Sequence, residues 1–275
     1  ETYGVSSKWL RSRIKPLIKQ LGSLATDWLP TEIKMQEKLM DLSKALEAIH
    51  FPKNQDDINN ARKRLGFDEL FLMQLQVEQR KQAWQQNKLR HQLSCTKQDV
   101  KPFIDSLPFS LTPDQESALD EIITDLNKPI PMNRLLEGDV GSGKTVVAAA
   151  ICYLIVKQGK KAVFMAPTEV LAHQHLASLS KFLESHGIKI GFFTGSQKSK
   201  EHIQSYDIYL GTHALLFQDL PFTDIGLVII DEQHRFGVVQ RSQLIGTTIV
   251  PHVLTMTATP IPRTVALTLY GDLSL

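Results

Sequence analysis

Eight consecutive residues, Gly138-Asp139-Val140-Gly141-Ser142-Gly143-Lys144-Thr145, constrain this chain more than any other feature. They meet the phosphate-loop spacing in full, with a strand expected just before them at 135–137 and a helical pattern after them from Thr145. Glycines let successive backbone N–H groups converge on phosphate oxygens. Lys144 adds a point charge at the β/γ positions, and the Thr145 hydroxyl suits Mg²⁺. A loop between strand and helix sits at the carboxyl edge of a parallel sheet, where α/β folds bind ligands.

The rest of the second half agrees with such a sheet. Short apolar runs at 134–137, 162–166, 190–194, 207–211, 227–230 and 252–256 alternate with helical patterns, notably 145–157 and 169–185. That alternation predicts an α/β fold whose mostly parallel sheet lies between helices, and with the phosphate loop at its edge it resembles a RecA-like domain. The domain is expected over 109–275.

Residues 1–108 read as all-helical. Apolar residues recur over 8–21, and Thr31 opens a run to Ile49 in which Ile33, Leu39, Leu42, Leu46 and Ile49 share a helical face. His50-Phe51-Pro52 stops that run, because proline disfavours helix at the residue before it. Asn54 is the expected N-cap of a third helix reaching about Leu93, with Asp56 and Asp57 in its first turn. Ile58, Ala61, Leu65, Leu72, Leu75 and Trp84 are its expected buried positions. No repeat or binding motif stands in this half, and a linker or buttress is the expectation.

Composition narrows the setting. Hydrophobic residues make up 42% and charged residues 22%, as in ordinary globular proteins. No apolar run reaches the length of a membrane span, and the basic N-terminus lacks the apolar stretch of a signal peptide. Cys95 and Cys152 are too few for a disulfide framework or a zinc site, so a cytoplasmic setting is expected. The net charge of +2 divides unevenly. Residues 1–108 carry 18 Lys/Arg against 13 Asp/Glu, and the remainder 13 against 16. A basic half attracts polyanions, although mixed-charge helices often look the same. His173 and His175, two apart on a helical pattern, do not share a face, so a metal site there is not expected.

The run 227–234 ends an apolar strand in Asp231-Glu232-Gln233-His234. An acid at that place in phosphate-loop proteins helps hold Mg²⁺, and the adjacent Glu232 is placed to orient an attacking water. Asp231-Glu232-Gln233-His234 resembles the DExH box of superfamily 2 helicases, and His234 takes its expected role from that box. Thr257-Ala258-Thr259 matches the family motif that couples hydrolysis to movement between two motor domains. Arg263 stands in the stiff segment after it.

Other short pieces carry the same resemblance. Pro167-Thr168 within 166–172, Thr194-Gly195, and Gly211-Thr212-His213 resemble the elements that touch one DNA strand. Phe109 to Gln115 resembles the segment in which a glutamine reads adenine. The match is similar to the RecG family within superfamily 2: GDVGSGKTVVA (138–148), DEQHRFGV (231–238), MTATPIPRT (256–264) and, in the first half, ALEAIHFP (45–52).

The resemblance implies ATP and Mg²⁺ as cofactors, and branched, single-stranded and double-stranded DNA as partners. It implies a single-stranded-DNA-binding protein as a further partner, no membrane, and a monomer. It also implies an oligonucleotide-binding wedge and a second motor domain with the arginines that complete the ATP site. Neither is read within these 275 residues, so weak ATP hydrolysis is expected of this chain alone. Two other readings stay open: a transcription-repair coupling translocase, and a phosphate-loop scaffold that binds nucleotide as a switch.

Overall fold

The computed structural model describes residues 6–24, 26–199, 202–218, 220–232 and 249–258. Contacts divide the chain into two compact units, Glu1–Gln76 and Val77–Leu275.

The first unit holds α1 (Ser7–Leu24), α2 (Thr31–Gln36), α3 (Leu42–His50) and most of α4 (Gln55–Gln85). The single helix expected over 31–49 is two helices. The chain leaves α2 at Lys38, which takes a left-handed φ of 53°, and re-enters helix after Asp41. The reason is a charged centre that a straight helix could not serve. The Asp27 carboxylate accepts from Leu29 N at 3.2 Å, Leu42 N at 3.1 Å, Lys34 Nζ at 3.0 Å and Arg64 Nη2 at 2.7 Å. Arg64 also donates to Asp68 Oδ1 at 2.9 Å and to the Met40 carbonyl at 2.7 Å. The break brings Met40 O and Leu42 N onto that centre.

The same centre corrects the expected face of α4. Ala61, Arg64 and Asp68 are buried, whereas Leu72 and Leu75 are exposed. A hydrophobicity pattern misses this face because its buried positions are partly charged. Such charges are tolerated in the interior only because each is paired and hydrogen-bonded. Asn54 does cap α4, its side chain accepting from Asp57 N at 2.8 Å.

The second unit begins with the end of α4. That helix stops at Gln85, short of the expected Leu93, because tertiary contacts take the chain. Trp84 Nε1 donates to the Pro131 carbonyl at 2.8 Å. Strand β1 (Lys88–Leu89) then pairs in parallel with Ile249–Val250, and Arg90 N donates to the Val250 carbonyl at 2.9 Å. Next come α5 (Lys97–Asp105) and α6 (Pro113–Leu126), each opened by a capping box, Thr96 with Asp99 and Thr112 with Gln115. The reciprocal bonds satisfy two orphan N–H groups at each helix start.

All six expected strands form: β2 (Asn133–Glu137), β3 (Lys161–Met165), β4 (Ile190–Phe193), β5 (Ile208–Gly211), β6 (Ile225–Asp231) and, after β7 (Ile249–Val250), β8 (His252–Thr257). They make one parallel sheet in the order β2-β8-β6-β3-β5-β4. Between them run α7 (Lys144–Lys157) and α8 (Glu169–Leu183).

Side chains alternate across the sheet. Ala162, Phe164, Leu227 and Ile229 enter a core shared with α5, α6, α7 and α8. Val163, Met165, Val228 and Ile230 face the other side, with Tyr206, Tyr209, Leu215 and the half-buried Trp84. Every residue of α7 from Val146 to Ile155 is buried, as in a helix enclosed on all sides. Val100 and Phe103 of α5 join that core, so residues 77–108 pack with the sheet rather than apart from it. Fully burying side chains of this size contributes about 1.5–3 kcal/mol each. No described helix is long and apolar enough to cross a membrane. Cys95 and Cys152 are both free and buried, and burial pushes their thiols up to about 11 and about 12.

Candidate nucleotide and nucleic-acid site

The site is built at the carboxyl ends of three neighbouring strands. The phosphate loop leaves β2, Thr257 ends β8, and Asp231 ends β6, with β8 in the middle. Backbone bonds join them. Gly138 N donates to the Thr257 carbonyl at 3.3 Å, and Glu232 N donates to the Met256 carbonyl at 2.9 Å. Neighbouring strands lie about 4.8 Å apart, so β2 and β6 stand roughly 10 Å from each other across β8. That spacing suits a group spanning from loop to acid.

The loop has the backbone its sequence requires. Gly141 and Gly143 take φ of 83° and 85°, a region in which side chains are strained. At Gly143 a Cβ would also meet Gln115 Nε2 at 2.2 Å. Gly143 is the N-cap of α7, so the loop feeds a helix N-terminus whose N–H groups and dipole favour anions. Lys144 Nζ donates to the carbonyls of Gly138 at 2.6 Å and Asp139 at 2.8 Å, which holds it across the mouth of the loop. Val140 is 88% exposed at the tip, so it faces solvent rather than core. A cavity of about 310 Å³ opens beside the loop, with Gln115, Ala118, Leu136, Lys144 and Val147 among its walls.

Gln115 borders that cavity but spends both amide atoms inside the protein. Its Oε1 accepts from Thr112 N at 3.0 Å, and its Nε2 donates to the Ser142 carbonyl at 2.8 Å. It therefore ties the start of α6 to the phosphate loop. Phe109 is not among the residues around the cavity; it is 45% exposed, with its ring edge-on to Phe182 at 6.2 Å.

Two acids end β6 in different settings. Asp231 is nearly buried, and its Oδ2 lies 2.7 Å from His175 Nε2 on α8. Glu232 has a left-handed φ of 52°, uncommon for a residue with a side chain and a form of strain that clusters at functional sites. That turn aims its Oε1 at Ala258 N, which donates at 3.0 Å. Among the described residues no group of three His, Cys, Asp or Glu side chains could hold a metal unaided. A hydroxyl at Thr145 and a carboxylate at Asp231 are the hard oxygen donors that Mg²⁺ takes when nucleotide phosphates supply the rest, so the residues fit that ion.

The remaining candidates lie farther along the same edge, after β3, β4 and β5. Thr168 caps α8 through Leu171 N at 3.3 Å. Thr194 and Thr212 are buried, and their hydroxyls accept local bonds from Gln197 N at 3.1 Å and Ala214 N at 3.5 Å. Gly211 has a packing reason of its own: a Cβ there would sit 1.8 Å from the Phe193 carbonyl. His234, Thr259 and Arg263 lie outside the described residues.

Two side chains were missed in the sequence. Glu169, first residue of α8, accepts from Ser196 N at 3.0 Å and Ser196 Oγ at 2.7 Å, and the hydroxyl bond holds its carboxyl below the usual range. The sequence marks His175 only as one of a histidine pair with His173. The structure turns it to Asp231 and its ring to Phe164 at 4.7 Å, whereas His173 packs on Phe192 at 4.6 Å. Their positions in the helix after Pro167-Thr168 were the only local signal.

Comparisons with known proteins show the family to which such a chain belongs. Residues 112–268 match the DEAD/DEAH box helicase family, and they make up more than half of the chain. The chain is 44% identical over 99% of its length to the ATP-dependent DNA helicase RecG of Synechocystis, of which it covers 34%. It is 40% identical over 98% of its length to RecG of Staphylococcus aureus, covering 40% of that protein. It thus spans well under half the length of these curated relatives. A solved structure of RecG bound to a three-way DNA junction superposes with a TM-score of 0.78 at 38% identity, over 99% of this chain and 38% of that one. The UvsW helicase of bacteriophage T4, at 17% identity and a TM-score of 0.50 over 67% of this chain and 68% of that one, shares the fold. With the phosphate loop, the paired acids and the Thr257 strand joined at one sheet edge, the chain belongs to the DEAD/DEAH box helicase family.

Proposed function

We propose that this chain is the first motor domain, with its helical buttress, of an ATP-hydrolysing helicase that moves on branched DNA in repair and recombination. The observation that carries the reading is the joined edge, at which one strand, β8, is hydrogen-bonded to the start of the phosphate loop on one side and to Glu232 on the other. The similarity to RecG over nearly the whole chain supplies the substrate class.

In this reading residues 138–145 cradle the phosphates, with Lys144 at the β/γ positions. Thr145 and Asp231 hold Mg²⁺, Glu232 prepares the water, and His234 takes its catalytic part from the box it sits in. Bound Mg²⁺ neutralises charge that develops on the transferred phosphoryl group. Gln115 serves the adenine side through the loop it braces, and Phe109 belongs to the segment that carries it. Pro167, Thr168, Thr194, Gly195, Gly211 and Thr212 form the strand-contact row, in which the buried threonines shape turns whose backbone N–H groups meet phosphates. Such contacts position DNA without reading its sequence. Thr257, Thr259 and Arg263 pass the nucleotide state onward. A monomer, cytoplasmic, with single-stranded-DNA-binding protein as partner, completes the proposal on the resemblance alone.

The test is binding of a fluorescent ADP analogue and of DNA by the chain. Binding of both is expected, with DNA affinity that is weak and falls steeply with salt, because phosphate contacts release counterions. Hydrolysis stimulated by DNA is expected once a second motor domain is joined. Nucleotide binding with no response to DNA in that longer protein would favour the switch reading and overturn this one.

A further inference from the structure

One helix touches both ends of the proposed machine. At its first residue Glu169 holds the turn after Thr194 through Ser196 N and Oγ at 3.0 and 2.7 Å. Six residues on, about 9 Å along the axis at 1.5 Å per residue, His175 Nε2 reaches Asp231 Oδ2 at 2.7 Å. An ionised carboxylate can only accept, so His175 donates from Nε2. The imidazole packs against the Phe164 ring of β3, tilted by 48° with centroids 4.7 Å apart, and the helix is held by buried Ala172, Leu179 and Leu183. Helix and ring are therefore packed as one piece.

We infer that His175 is the positioning residue for Asp231, and that α8 carries DNA engagement at its N-terminus to the magnesium side of the nucleotide site. The inference rests on the function proposed above. His175 occupies one oxygen of Asp231 and so aims the other. Partners that orient a metal-holding carboxylate are typically worth about 10–100-fold in metal affinity. A strand that shifts the turn held by Glu169 shifts His175 with it. Coupling of this kind is reciprocal, so DNA and Mg²⁺-nucleotide should raise each other's affinity by one factor.

The experiment titrates Mg²⁺ into the chain with a fluorescent ADP analogue, with and without saturating single-stranded DNA, for wild type, His175→Phe, His175→Gln and Glu169→Ala. His175→Phe fills the ring space but cannot donate. It should raise the Mg²⁺ concentration for half-saturation about 10–100-fold, leave Mg²⁺-free ADP binding at the wild-type value, and abolish the DNA effect. His175→Gln, which keeps a donor, should recover most of the Mg²⁺ affinity. Glu169→Ala should keep the wild-type Mg²⁺ midpoint without DNA and lose only the shift caused by DNA. A His175→Phe midpoint equal to wild type overturns the inference alone, as does an equal loss of Mg²⁺-free binding, which marks a structural role. A wild-type chain that binds no nucleotide overturns the function reading and this inference together.

Discussion

Glu232 Oε1 accepts a 3.0 Å hydrogen bond from the backbone N–H of Ala258, so the second acid of the box is tied to the segment after β8. Two roles meet in that carboxylate. One oxygen is held by the backbone, and a group held this way keeps its direction. Changing Glu232 to Gln keeps an acceptor for Ala258 but removes the charge and the base. Nucleotide binding should stay at the wild-type level, and DNA-stimulated hydrolysis by the two-domain protein should fall by about 10²–10⁴. A stopped assay of phosphate release checks it; hydrolysis near wild type would exclude Glu232 as the residue that prepares water.

The same tie bears on coupling. Thr257 is buried beside the phosphate loop, its carbonyl accepting from Gly138 N at 3.3 Å. Changing Thr257 and Thr259 together to Ala in the two-domain protein should spare ATP hydrolysis and reduce fork unwinding at least about tenfold more, a difference of about 1.4 kcal/mol. Both rates are measured on one preparation. Equal losses would make the segment part of the ATP site and nothing more.

Lys144→Ala removes the ammonium that donates to Gly138 O and Asp139 O across the loop. Affinity for the ADP analogue should fall about tenfold or more, at about 1.4 kcal/mol per tenfold. Calorimetry showing equal affinities would sink the phosphate-loop assignment.

Arg64, fully buried, bridges Asp27 and Asp68. Arg64→Met removes the guanidinium that both acids share, with Lys34 left as a cation on Asp27, and should destabilise the first unit by about 3–5 kcal/mol. The neighbouring guanidinium holds the Asp27 carboxyl well below its ordinary value of 3.8. A depressed acid stabilises the fold above its ordinary value and stops doing so as the pH falls below it. The first unit should therefore weaken below about pH 4 in wild type, and Arg64→Met should flatten that slope. Urea unfolding followed by tryptophan fluorescence checks both.

His252, enclosed where β8 begins, accepts from Met132 N at 3.1 Å, and burial lowers its imidazole from 6.5 to about 4. The folded state resists protonation, so the unfolded chain binds more protons in this window. Stability is complete above pH 6.5 and falls by about 3 kcal/mol as the pH drops toward 4. His252→Gln keeps an acceptor but does not titrate, and should remove that loss from the second unit. An unchanged pH slope in the variant would show that another group controls it.

Local chemistry determined much of this protein in the sequence. The glycines of 138–143, the apolar strand before Asp231, the Asn54 cap and all six strand positions depend on residues close in the chain, so spacing reveals them. Charge pairing across the fold decided the rest. Nothing near Lys38 announces a break, because its cause is Arg64 reaching Asp27 from a later helix. Leu72 and Leu75 read as core, yet the buried face of α4 is set by Arg64 and Asp68. Strand order, which puts β8 between the loop and Asp231, depends on which edges pair, and each strand's own pattern is the same whichever neighbour it takes. His175 looked like a spare histidine until the sheet brought Asp231 within 2.7 Å, a meeting between residues 56 apart that only the packing of α8 on the sheet creates.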